Sequence, residues 1–140
     1  MTAITEPEPI VARPRFSTAA VVPLAIDLLC IVAFVAMGKE NHGVHRGVGW
    51  FFNVWWPLAT GLVIGGLMTR LYTARDRWPL RLVGTVAIAV IIGGPLRMIT
   101  GRGMYSVFTI VAFGMLILLT FAWRLLRVAY HQVRAQPSSP

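Results

Sequence analysis

Four stretches of about twenty residues each, nearly free of charge, dominate this chain: Thr18 to Met37, Trp50 to Thr69, Leu80 to Thr100 and Met104 to Trp123. At 1.5 Å rise per residue, a helix of ~20 residues crosses ~30 Å, the thickness of the hydrocarbon layer of a bilayer. The apolar residues fill these blocks and do not repeat at one-face spacing, so a small soluble core cannot hide them. A closed β-barrel would need shorter segments of alternating polarity, a pattern absent here. Composition agrees: 56% of the residues are hydrophobic and 13% charged, against about 25% charged in a soluble domain. The prediction is an all-α fold, an integral membrane bundle of four antiparallel helices over about 18–37, 50–70, 80–100 and 104–125.

The segments between and around the blocks fit that division. Residues 1–17 hold three prolines and two glutamates and read as a disordered tail. The first block is too long for a signal-peptide core of about 7–15 residues and no A-x-A site follows it, so it is expected to remain as a spanning helix ended by Gly38. GKENHGVHRGVG (38–49) is a polar, glycine-rich loop, TARDRWPLR (73–81) a short basic turn with Pro79 placed to start a helix, and GRG (101–103) a tight turn. The four-helix domain covers 18–127. RLLRVAYHQVRAQPSSP (124–140) continues a basic amphipathic turn or two and then frays, with 128–140 as the basic C-terminal tail.

Charge sets the orientation. Thirteen Lys and Arg stand against five Asp and Glu, a net +8. In a soluble chain that balance would suggest nucleic acid. Here the bases sit at block ends, where they report orientation and anionic lipid headgroups, and no nucleic-acid partner is expected. With the N-terminus inside, Arg13, Arg15, Arg70, Arg75, Arg77, Arg81, Arg124, Arg127 and Arg134 lie on the cytoplasmic side, and Lys39, Arg46, Arg97 and Arg102 outside. Trp50, Trp55, Trp56 and Tyr105 form an outer aromatic belt, with Trp78, Trp123 and Tyr72 at the inner one. Both signals predict a multi-pass protein of the cell membrane with both termini cytoplasmic.

Asp27, inside PLAIDLLCIVAFVAM (23–37), is the one carboxyl group within a block. Counted from Thr18 it lies roughly 13 Å above the inner boundary. Thr60 falls roughly 15 Å below the outer boundary, at a similar level, and Arg97 roughly 24 Å up, under the outer headgroups with Asn53 and Thr109. A charge near the bilayer centre costs at least ~3 kcal/mol on insertion scales, so Asp27 must face the interior. Three arrangements satisfy it. Arg97, leaning toward the N-terminus of its helix, makes a direct salt bridge helped by a kink at Pro95; a water bridges the two; or Asp27 is protonated and hydrogen-bonds Thr60. Asp27 is then either a functional group or a polar lock between helices.

Packing signals are Gly61-x-x-x-Gly65-Gly66 in the second block and Ala89 with Gly93 in the third, small faces that suit close helix contact or a homodimer seam. Gly-Gly-Pro at 93–95 frees carbonyls beside Arg97. His42, His45 and Glu40 are too few and too glycine-flanked to predict a metal site. Cys30, the single cysteine, reads as a buried, inert thiol. No phosphate loop, nucleophile elbow or catalytic carboxylate pair is present, so neither enzyme activity nor a cofactor is expected.

Several features together resemble the domain-of-unknown-function 3054 family of bacterial and archaeal membrane proteins: Asp27, G-K-E-N-H (38–42), G-G-P-L-R (93–97), T-G-R-G (100–103), the Phe108 region and the closing Trp123-Arg124. The resemblance covers about residues 20–125. It implies a four-helix membrane fold, assigns no catalytic roles, and makes the layer of Asp27, His42, Arg97 and Arg102 the place to look. The outline is also similar to the small multidrug-resistance transporters, which carry an acidic residue in the first of four helices, although their other motifs do not match here. The candidate polar cluster is therefore Asp27, Thr60, Arg97, Arg102, Glu40, His42 and Asn53. Two functions are carried forward. One is a small homo-oligomeric unit, a homodimer or larger, that binds or translocates a solute, ion or proton. The other is a non-catalytic accessory or scaffold subunit of a larger membrane complex.

Overall fold

Small residues decide how long apolar helices meet, because a missing side chain lets one backbone reach another. In the computed structural model, which describes residues 18–41, 47–74, 76–99 and 107–135, the chain forms four helices. They are α1 (Thr18–Asn41), α2 (Val48–Met68), α3 (Trp78–Ile99) and α4 (Val107–Ala135), and among the described residues there is no strand. Each is long and apolar enough to cross a membrane. Two run further than expected. Gly38 does not end α1, which continues to Asn41, and α4 continues ten residues past position 125. The sequence explains the second extension: LLRVAYHQVRA contains no Gly or Pro, and the next proline is Pro137.

The helices touch in a ring, α1 to α2, α2 to α3, α3 to α4 and α4 to α1, without direct packing of α1 on α3. The α2–α3 seam is the most extensive and is built on the glycines. A Cβ on Gly61 would lie 2.5 Å from the carbonyl oxygen of Ala89, and one on Gly65 2.7 Å from that of Thr85. One on Gly93 would be 3.4 Å from the carbonyl oxygen of Pro57. Rising numbers on α2 thus face falling numbers on α3. Ile31, Phe34, Val35, Val54, Leu58, Leu62, Leu82, Val86 and Leu116 fill the space inside the ring.

The α2–α3 connection is short and held by hydrogen bonds. Helix α2 ends with Leu71 N–H donating to Gly66 O at 3.1 Å and Arg70 N–H to Leu67 O at 3.2 Å. This double closure needs a left-handed residue at its centre, a place usually taken by glycine. Arg70 occupies it with φ 54°, and Arg77 at the far end of the loop has φ 47°. Arg81 then reaches back from α3. Its Nη1 donates to Thr69 O at 2.5 Å, its Nε to Asp76 O at 2.9 Å and its Nη2 to the Asp76 carboxylate at 3.0 Å. The Thr69 and Thr85 hydroxyls share a hydrogen bond of 2.7 Å across the seam. These contacts tie the loop to both helices, and Tyr72 projects from it.

Candidate functional site

Asp27 lies on the inward face of α1 and has no solvent exposure. Four donors converge on its carboxyl group. Arg124 of α4 makes a two-pronged contact, Nη1 to Oδ1 at 2.8 Å and Nη2 to Oδ2 at 2.6 Å. Trp123 Nε1 donates to Oδ1 at 2.8 Å and Tyr72 Oη to Oδ2 at 2.9 Å. Each oxygen therefore accepts two hydrogen bonds, from three residues on two segments of the chain, α4 and the α2–α3 loop. All four of these contacts come from donors, which suits a carboxylate, and the pairing of planar guanidinium with planar carboxylate is the strongest geometry such groups can adopt.

Each donor is itself positioned. Arg124 Nη1 also donates to Thr120 O at 3.0 Å, and its guanidinium lies 4.6 Å from the Trp123 ring centre. The buried Thr120 hydroxyl donates to Leu116 O one turn earlier. Tyr72 reaches Asp27 by lying over Gly66, where any Cβ would collide with its ring. The two adjacent glycines thus divide the work: Gly65 admits α3 and Gly66 admits Tyr72. Burial, then the adjacent Asp27 carboxylate, raises the Tyr72 phenol above its ordinary value, so it stays a neutral donor. On the same loop the Arg81 guanidinium holds the exposed Asp76 carboxyl below its usual range.

The expected partners of Asp27 are corrected by this geometry. Arg97 is half-buried, with its guanidinium 3.9 Å over the Phe108 ring. Phe108 precedes Arg124 by sixteen residues on α4, about 24 Å along the axis, so Arg97 belongs to the opposite end of the ring. Asp27 binds Arg124 instead. Thr60 lies on an exposed face of α2, as does Asn53, and the hydroxyl that meets Asp27 is that of Tyr72. Glu40 falls in the last turn of α1, but its side chain, like His42, His45 and Arg102, lies outside the described residues. Cys30 is half-buried one turn beyond Asp27.

Depth counting placed Trp123, Arg124 and Tyr72 at the inner boundary and Asp27 well above it. The structure joins them because side chains lean toward the N-terminus of their own helix. For Asp27 that direction leads out toward the α2–α3 loop, and for Arg124 it leads inward from the end of the apolar block. The two side chains approach each other and close the gap. The signal available in the sequence was the Trp-Arg pair at the end of the fourth block, both strong donors, at the same end as the start of the first.

Comparison with known proteins identifies a family. A family model described as a protein of unknown function, DUF3054, matches residues 24–127, which include Asp27, Tyr72, Trp123 and Arg124. Neither the curated proteins nor the solved structures contain a significant match.

Proposed function

Since the chain belongs to the domain-of-unknown-function 3054 family, we propose its function from the fold and from the surroundings of Asp27. The reading is a multi-pass protein of the cell membrane, an antiparallel four-helix bundle with both termini cytoplasmic. In it Asp27 is a structural fastener, and the chain serves as a non-catalytic accessory or scaffold subunit, as a homodimer or within a larger complex. One observation carries this: the carboxyl group accepts four hydrogen bonds at zero exposure, from α1's neighbours α4 and the α2–α3 loop. A group so fully engaged has no lone pair left for a passing ion. Its energetic effect is to tie the first helix to the last, at the ring's α1–α4 closure.

The translocating alternative requires Asp27 to exchange Arg124 for a proton or solute during each cycle. Asp27→Asn decides between the two, because it keeps shape and most hydrogen bonds but cannot ionise. The scaffold reading expects wild-type proteoliposomes to show no pH-gradient-dependent flux, and Asp27→Asn to lower bundle stability or partner recovery. A proton-coupled flux in the wild type that Asp27→Asn abolishes, with insertion and stability intact, would overturn it.

A further inference from the structure

The end of the ring marked by Asp27 carries more charge than the site uses. Arg81 is engaged by Asp76 and Arg124 by Asp27. Arg70, Arg77, Arg127 and Arg134 are exposed at the same end, since Tyr72 and Arg124 touch one carboxyl group. Two of these arginines stand where the backbone favours glycine, at φ 54° and 47°. An L-residue in that region is disfavoured, and such an outlier points to a use for the side chain.

The end of α4 has matching chemistry. Arg127, His131 and Arg134 recur at helical spacing in one stripe, and Leu126, Tyr130 and Val133 form the adjacent stripe, 70%, 54% and 72% exposed. Because α4 enters from the ring, the N-terminal lean of its side chains directs Arg127 and Arg134 back toward the apolar region. The Arg134 guanidinium lies 5.1 Å from the Tyr130 ring centre, one turn closer to it. A face that is cationic, aromatic and apolar at the boundary of a bilayer-length bundle complements an acidic lipid surface. A second copy of the same face would meet it with like charge.

We propose that the α2–α3 loop and the α4 extension form one anionic-phospholipid-binding face, with Arg70 and Arg77 gripping headgroup phosphates and Arg127 and Arg134 adding a second row. This rests on the reading that the helices span a bilayer, and it does not depend on which leaflet the face meets.

The test uses the full-length protein in nanodiscs of phosphatidylcholine with and without one-fifth phosphatidylglycerol, compared with Arg70→Gly/Arg77→Gly and with Arg127→Gln/Arg134→Gln. Glycine removes the charge while suiting the backbone, so the first variant is expected to fold. Each arginine near an acidic surface contributes about fivefold in affinity, so each double variant should retain anionic lipid about 25-fold less well, measured by native mass spectrometry of co-purified lipid. The wild-type preference should weaken with added salt. Undiminished anionic-lipid retention by both double variants overturns the proposal. So does equal stabilisation by inorganic phosphate without lipid, or a concentration-dependent dimer lost in the variants while lipid retention is unchanged. Alkaline carbonate extraction separates the two levels: a protein that stays in the membrane pellet but shows no lipid preference refutes this face alone. Release into the supernatant refutes the spanning reading beneath it.

Discussion

Removing Arg124 should expose how much the fastener contributes. Arg124→Gln deletes two of the four donors to Asp27 and leaves a carboxyl group whose side chain is 1% exposed facing a neutral amide. Hydrogen bonds to a charged group are worth about 1.5–3 kcal/mol each, so the two lost contacts amount to about 3–6 kcal/mol. Breaking a buried ion pair in soluble proteins costs about 3–5 kcal/mol, a compatible range. Interhelical hydrogen bonds within membranes average nearer 0.6 kcal/mol, because separated helices find other partners. The two-pronged, charge-assisted geometry and the 11% exposure of the Arg124 side chain favour the upper range. Tyr72 and Trp123 remain as donors and limit the loss. We expect about 2–5 kcal/mol, measured by denaturant titration in mixed micelles. The double variant Asp27→Asn/Arg124→Gln should recover most of it, since a neutral hydrogen-bonded pair leaves no uncompensated charge. A loss below about 1 kcal/mol for Arg124→Gln, or a double variant no more stable than the single one, would refute the fastener.

Other perturbations follow from the same contacts. Tyr72→Phe should cost about 1.5–3 kcal/mol by removing one donor from the carboxylate. Because the folded phenol is raised above its unfolded value, stability is full below about pH 10 and falls as the unfolded chain ionises above it; Tyr72→Phe should flatten that decline in a pH-dependent melting series. Gly61→Ala would drive a methyl group into the Ala89 backbone and should separate α2 from α3, lowering the melting temperature sharply, whereas Gly114→Ala, with nothing within 4 Å of the new methyl group, should be neutral or slightly stabilising. Arg70→Gly should leave stability in detergent unchanged or raise it by up to about 1 kcal/mol, since φ 54° suits glycine. With Cys30 replaced by alanine, single cysteines placed in the two tails should both resist impermeant thiol reagents on intact cells; labelling at one terminus alone would refute the proposed topology.

Much of the architecture can be read along the chain. Four apolar blocks of bilayer length, each bounded by glycine or basic residues, predict four helices with boundaries within a few residues, except at the end of α4. There the sequence suggests a turn or two past Arg124 and then fraying, yet 128–135 hold neither Gly nor Pro to stop an established helix and simply extend it. The glycine pattern on α2 and α3 is equally visible, because a missing side chain is a local fact that acts wherever two helices meet. Asp27 stands out for the same reason: one carboxyl group in an apolar run has to be satisfied.

Which groups satisfy it is another matter. Hydropathy and rise per residue order the side chains by depth, and by that measure Thr60 is level with Asp27 while Arg124 is far away. Depth says nothing of rotation about the helix axis, and it neglects the reach of a long side chain. The packed ring turns Thr60 outward, brings α4 beside α1, and lets Tyr72 lie over Gly66. Four helices and one buried acid are thus legible in the linear pattern alone. That Arg124, Trp123 and Tyr72 surround the acid emerges from the packed helices, because pairing depends on azimuth and side-chain direction, which a string of residues does not record.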